Sequence, residues 1–174
     1  MLTDGTRRPL GGLDPARSRH NWARSATLVV DGTVLVGGPD GRVTAFDPRL
    51  GSETGPHWMS EIGSGYVVSL AATNGRVAVG SRGSDAGVSL VSAETGERRW
   101  THTAAGEVGT AGDDSLLAQP YVVDVGIATG AAGGDDVTVA TIRRYERTVG
   151  DRSWSSAVLG FDPDGTVRWR HRAE

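Results

Sequence analysis

Short runs in which apolar and small polar residues alternate recur along the chain, each closed by Gly, Asp, Asn or Pro. Thr33-Val34-Leu35-Val36-Gly37 leads through Pro39-Asp40-Gly41 into Val43-Thr44-Ala45-Phe46. Alternation with period two is the mark of a half-buried strand. No segment offers apolar residues at i, i+3, i+4 and i+7 over three turns, so long helices are not expected. Asp31-Gly32 and Asn74-Gly75 sit between such runs, and these dipeptides are strong hairpin signals because both central residues of the turn need φ > 0. The chain reads as all-β.

The runs fall into three stretches of one pattern. The first contains Val34 to Gly37 and Val43 to Asp47, and ends at Trp58. The second contains Val77 to Gly80 and Val88 to Ser92, and ends at Trp100. The third contains Val137 to Ala140 and Val158 to Asp162, and ends at Trp169. Val34, Val77 and Val137 align, as do Val43, Val88 and Val158. Each stretch divides into four strands, the first covering Ala26 to Val30, Tyr66 to Ala72 or Tyr121 to Ala128, and the last carrying the Trp. The first two repeats are spaced by about 43 residues, within the range of a four-stranded propeller blade.

The segment Ala93-Glu94-Thr95-Gly96-Glu97-Arg98-Arg99-Trp100 resembles the signature of PQQ-type propeller repeats, Ala-x-Thr-Gly-x-x-x-Trp. Glu53-Thr54-Gly55-Pro56-His57-Trp58 is a version one residue shorter. Asp162-Pro163-Asp164-Gly165-Thr166-Val167-Arg168-Trp169 keeps the Gly-to-Trp spacing and loses the Thr. The resemblance implies a partial β-propeller of about three four-stranded antiparallel blades, either an open arc or a fragment of a larger propeller. The blades are expected at about 25–63, 64–104 and 119–174, after an irregular tail over 1–24. It further implies that Gly96 and Gly165 close turns before the outermost strands, and that Trp58, Trp100 and Trp169 dock on neighbouring blades. A periodic aromatic on a short strand reads the same way from packing alone.

Two insertions break the repeat. One runs from about Ala104 to Gln119, between blades. The other lengthens the middle hairpin of the third blade from Thr141 to Trp154. In an up-and-down meander both emerge at the same end, and loops on a rigid scaffold are where binding concentrates. Arg143, Arg144, Tyr145, Arg147, Arg152 and Trp154 form the candidate partner-binding loop, suited to an acidic peptide or carboxylate. The plain alternative is a solvated hairpin, its charge partly balanced by Glu146 and Asp151.

Composition narrows the function classes. The 174 residues contain no Cys and no Lys among 18 basic side chains, and the formal charge is -3. That excludes disulfides and thiolate chemistry and argues against nucleic acid, which calls for a strongly basic face. No apolar run is long enough to span a membrane. The first twenty residues lack the apolar stretch of a signal peptide, so the chain reads as cytoplasmic unless it is part of a longer precursor. His20, His57, His102 and His171 make no metal-binding spacing, and the latter three read as outer-strand surface positions. Quinoprotein dehydrogenases, by resemblance, are large closed propellers with a calcium site and an adjacent-cysteine disulfide. This sequence has neither feature, so no cofactor, no metal and no catalytic residue is expected. The leading expectation is a non-catalytic scaffold that binds a protein or peptide, or self-associates through open blade faces. A fragment of a propeller enzyme of quinoprotein or hydrolase type, and an inert truncated propeller, remain as alternatives.

Overall fold

The computed structural model describes residues 26–49, 55–109, 112–113, 115–130 and 134–173; the tail expected over 1–24 lies outside them. Among the described residues, twelve antiparallel strands follow one another without a helix. β1 (Thr27–Val30), β2 (Thr33–Gly37), β3 (Arg42–Phe46) and β4 (Trp58–Glu61) form one four-stranded sheet in chain order. β5 (Tyr66–Thr73), β6 (Arg76–Arg82), β7 (Gly87–Ser92) and β8 (Arg98–Thr103) form the second meander. β9 (Leu117–Ala128), β10 (Val137–Arg147), β11 (Arg152–Phe161) and β12 (Val167–Ala173) form the third. A single bridge, Arg82 to Tyr121, links the second meander to the third. This is a partial β-propeller.

The hairpin dipeptides do what their chemistry allows. Asp31 and Gly32 adopt φ 47° and 79°, and Asn74 and Gly75 adopt 47° and 72°, the left-handed values a two-residue hairpin requires. Register corrects one alignment. Phe46, Val91 and Phe161 are equivalent, and they face Val34, Val77 and Thr138, so Thr138 rather than Val137 occupies the repeat position.

The core lies between blades. Leu35, Val43, Ala45 and Trp58 of the first blade pack on Val67, Val77, Val79 and Val91 of the second. Ala78, Val88 and Leu90, on the other face of the second blade, pack on Val122, Ala140, Ile142, Leu159 and Phe161 of the third. The middle blade is therefore covered on both sides, and β6 and β7 are buried almost continuously. β10 instead alternates, with Thr138, Ala140 and Ile142 buried and Val139, Thr141 and Arg143 more accessible. Alternation marks a sheet with one packed face.

The tryptophans make the joints. The Trp58 indole donates to the Ala93 carbonyl at 2.9 Å, and its ring lies on the bare Cα of Gly96 (φ 72°). Trp100 repeats this one blade on, donating to the Pro163 carbonyl at 3.1 Å and lying over Gly165 (φ 90°). Trp100 also meets the Phe161 ring, centroids 5.3 Å apart. Trp169 differs: it rests on Gly160, its own cross-strand partner, and keeps 41% of its surface exposed where Trp58 keeps 7%.

A second fastening joins the middle and third blades. Glu107, in the connector after β8, accepts a paired hydrogen bond from Arg170 at 2.7 and 2.9 Å. It also meets His102 Nε2 at 2.8 Å, and its backbone carbonyl accepts from Arg172. His102 is thus a half-buried partner of Glu107 and Phe161, not the surface histidine the sequence suggests. Burial pushes the Glu107 carboxyl up, but the hydrogen bonds and charges of Arg170 and His102 outweigh it and hold the pKa below the ordinary 4.5. A lowered folded pKa contributes stability that is whole above the unfolded value and is lost as pH falls through the folded one. The wild type should therefore lose more thermal stability than Glu107→Gln between about pH 5 and pH 3. Parallel melting curves across that window check it; equal losses would remove Glu107 from the acid response.

Candidate functional site

The insertion in the third blade is strand, not loop. β10 and β11 stay paired from Thr138–Phe161 out to Arg147–Arg152, leaving 148–151 as the turn. The apolar alternation simply continues in polar residues, so the sheet outgrows the blade. β12 ends its pairing at Ser156–Ala173, and the ribbon beyond projects free of the outer strand. β9 supports it from the other side, with Tyr121 opposite Arg143. β9 begins at Leu117, so it takes in the end of the segment expected as an interblade insertion.

Strand parity sorts the six candidate residues. Arg143, Tyr145 and Arg147 share one face, and the residues opposite them are Ser156, Trp154 and Arg152. The Tyr145 and Trp154 rings lie 4.7 Å apart at 46°, within the range of a favourable tilted aromatic pair. The Arg143 guanidinium stands 5.7 Å from the Trp154 ring centroid, close enough for cation–π attraction. Trp154 is 56% exposed. Five of the six residues thus make one cationic, aromatic strip.

Arg144 is not among them. It points to the opposite face, is 8% exposed, and pairs with Glu146 at 3.1 Å. Glu146 in turn accepts from the backbone N–H of Gly112 at 2.9 Å, and Leu116 N–H donates to the Arg147 carbonyl. These contacts hold Gly112 and Leu116 of the connector against the projecting ribbon. Arg144 is the buried partner of Glu146, which makes the tie.

A further cation–aromatic contact, missed by sequence reading, lies where the second and third blades meet. The Arg82 guanidinium lies 4.8 Å from the Tyr121 ring centroid, and Tyr121 pairs across the sheet with Arg143. Arg82 ends β6 as the counterpart of Arg143, a signal available once the repeats are set in register. Among the described residues no group of three or more His, Asp or Glu side chains is placed to hold a metal, and no helix is long and apolar enough to cross a membrane.

No sequence family and no curated protein matches the chain. Solved structures do. Quinohemoprotein alcohol dehydrogenase from Comamonas testosteroni is similar with a TM-score of 0.58 at 19% identity, over 83% of this chain and 26% of that one. A europium-containing methanol dehydrogenase gives 0.51 at 17% identity, over 83% of this chain and 31% of that one. BamB from Moraxella catarrhalis gives 0.41 at 15%, over 86% and 50%. The chain spans less than a third of either dehydrogenase. At these identities the likeness to the two dehydrogenases is one of fold, the propeller architecture that the strand order displays.

Proposed function

We propose that the chain is a non-catalytic binding scaffold whose contact surface is the projecting ribbon of the third blade, and that its partner is an acidic peptide segment. One observation carries this reading: an exposed Trp154 flanked by Tyr145 and Arg143 on a strand pair that outgrows its blade. Trp, Tyr and Arg dominate the energy of interaction surfaces. Arg147 and Arg152 extend the strip at the ribbon's tip, and guanidinium groups pair with carboxylates in a two-pronged geometry. The residues stand on paired strands rather than a loose loop, which lowers the ordering cost of binding.

The test uses a fluorescein-labelled peptide of alternating Glu and Leu and its Lys-for-Glu counterpart, followed by anisotropy. The acidic peptide should bind and the basic one should not, with affinity falling as salt rises. Arg143→Glu with Trp154→Ala should weaken binding at least tenfold and shift the thermal midpoint only slightly, because both side chains are largely exposed. Equal binding of both peptides, or no effect of the double change, would reject the reading. The alternative, an arc of a propeller enzyme, rests on fold likeness alone, and fold does not specify chemistry.

A further inference from the structure

The projecting ribbon of the third blade ends in a tip with apolar side chains that the peptide reading does not use. The last β10–β11 pair is Arg147–Arg152, and residues 148–151 turn beyond it. β9 joins the same rung through Leu117. The Leu116 N–H donates to the Arg147 carbonyl at 2.8 Å, so Leu116 stands level with the turn. Val149 in the turn is 91% exposed and Leu116 64%. Single exposed apolar side chains are ordinary; two gathered at the far end of a projecting element mark a contact surface.

The rung that carries them is cationic. Arg147 and Arg152 stand directly opposite each other and both are exposed. Among the described residues no carboxylate forms an ion pair with either. Like charges opposite each other in a sheet repel, and an anion between them relieves that. Asp151, the acid within the turn, directs one oxygen to the Arg152 backbone N–H at 2.7 Å. Residues 147–152 line a recess of about 420 Å³, ample for a phosphate group. The chain as a whole carries a formal charge of -3, so an anionic surface repels most of the molecule and draws this end forward.

We propose that the ribbon's tip docks on an anionic lipid bilayer. Val149 and Leu116 enter the boundary between headgroups and acyl chains, while Arg147 and Arg152 pair with headgroup phosphates. Guanidinium groups bind phosphate in a two-pronged geometry, and Arg stems lie along apolar surroundings while their heads stay in the polar layer. A folded protein would need a matching cleft to cover a convex point, whereas a fluid bilayer closes around one. The apolar area is small, so docking is reversible and depends on anionic lipid. Tyr145 and Trp154 stand one same-face step back, roughly 7 Å, which leaves the peptide strip clear of the lipid. The proposal goes beyond the peptide reading and turns on Leu116 and Val149.

The chain contains no Cys, so Val149→Cys labelled with the environment-sensitive dye NBD reports on the tip alone. Glu94→Cys, exposed in the turn between β7 and β8, carries the same label as control. With vesicles of phosphatidylcholine and phosphatidylglycerol in equal parts, emission at 149 should rise and shift to the blue. The label at 94 should not respond, nor should the label at 149 with phosphatidylcholine alone. The unlabelled wild type should co-sediment with the anionic vesicles only. Leu116→Ser with Val149→Ser, and separately Arg147→Gln with Arg152→Gln, should each lower the partition coefficient by about tenfold. A silent label at 149, equal binding to both vesicle types, or undiminished binding by either pair of substitutions would overturn the proposal. Leu116→Ser with Val149→Ser should keep the wild-type affinity for the acidic peptide, so failure of the lipid reading and failure of the peptide reading are told apart.

Discussion

Trp100→Ala is expected to destabilise the chain by about 3–5 kcal/mol, the cost of emptying a large aromatic site. The side chain closes the joint between the second and third blades three ways: by its bond to the Pro163 carbonyl, by its seat over Gly165 and by its ring contact with Phe161. Alanine would leave a cavity walled by Leu90 and Phe161, and a carbonyl without its donor. Urea unfolding followed by circular dichroism measures the loss. Trp169→Ala serves as the internal control, because its ring covers only its own strand partner and should shift the single chain's midpoint far less. If the two substitutions cost the same, the ring's docking on the next blade is not what stabilises the joint.

Gly96→Ala should be nearly as damaging although it adds a single methyl group. The new Cβ would clash with the Cε3 side of the Trp58 ring, and overpacking of this kind costs about 1–3 kcal/mol. The residue also sits at φ 72°, where an L side chain costs roughly 1–2 kcal/mol more. Gly75→Ala shares the φ of 72° but meets nothing within 4 Å, so the difference between the two midpoints isolates the clash with Trp58. Equal shifts would show that backbone strain alone accounts for Gly96.

Local chemistry explains which parts of the molecule were legible in the sequence. Asp31-Gly32 and Asn74-Gly75 are read correctly because a two-residue hairpin depends on its own dipeptide and little else. The Gly-to-Trp spacing of Gly96–Trp100 and Gly165–Trp169 is legible for a similar reason: one turn and one strand fix it. The lengthened middle hairpin of the third blade was legible too, but not that its outer part is paired strand, since Arg143 to Arg147 carries no apolar alternation and resembles a loop in composition. The ladder with β11 holds it extended instead. That error hid the parity of Arg144, which a strand reading would have set on the opposite face from Arg143 and Tyr145. Glu107 was invisible because its partners, Arg170 and Arg172, lie more than sixty residues away in sequence and meet it only when two blades stack.

The near absence of crossovers has a thermodynamic consequence. Among the described residues, apart from the bridge between Arg82 and Tyr121, each strand pairs only with its neighbour in sequence, and each blade packs only on the next. A chain built this way behaves as a short linear array, its free energy a sum of unit terms and nearest-neighbour couplings. The middle unit enjoys two couplings and each terminal unit one. Partial opening is therefore cheapest at the extremities, where the first or third sheet can detach as a subglobal unit while β6 and β7 stay folded. Losing either coupling does not merely weaken the whole; it selects which third of the molecule melts first.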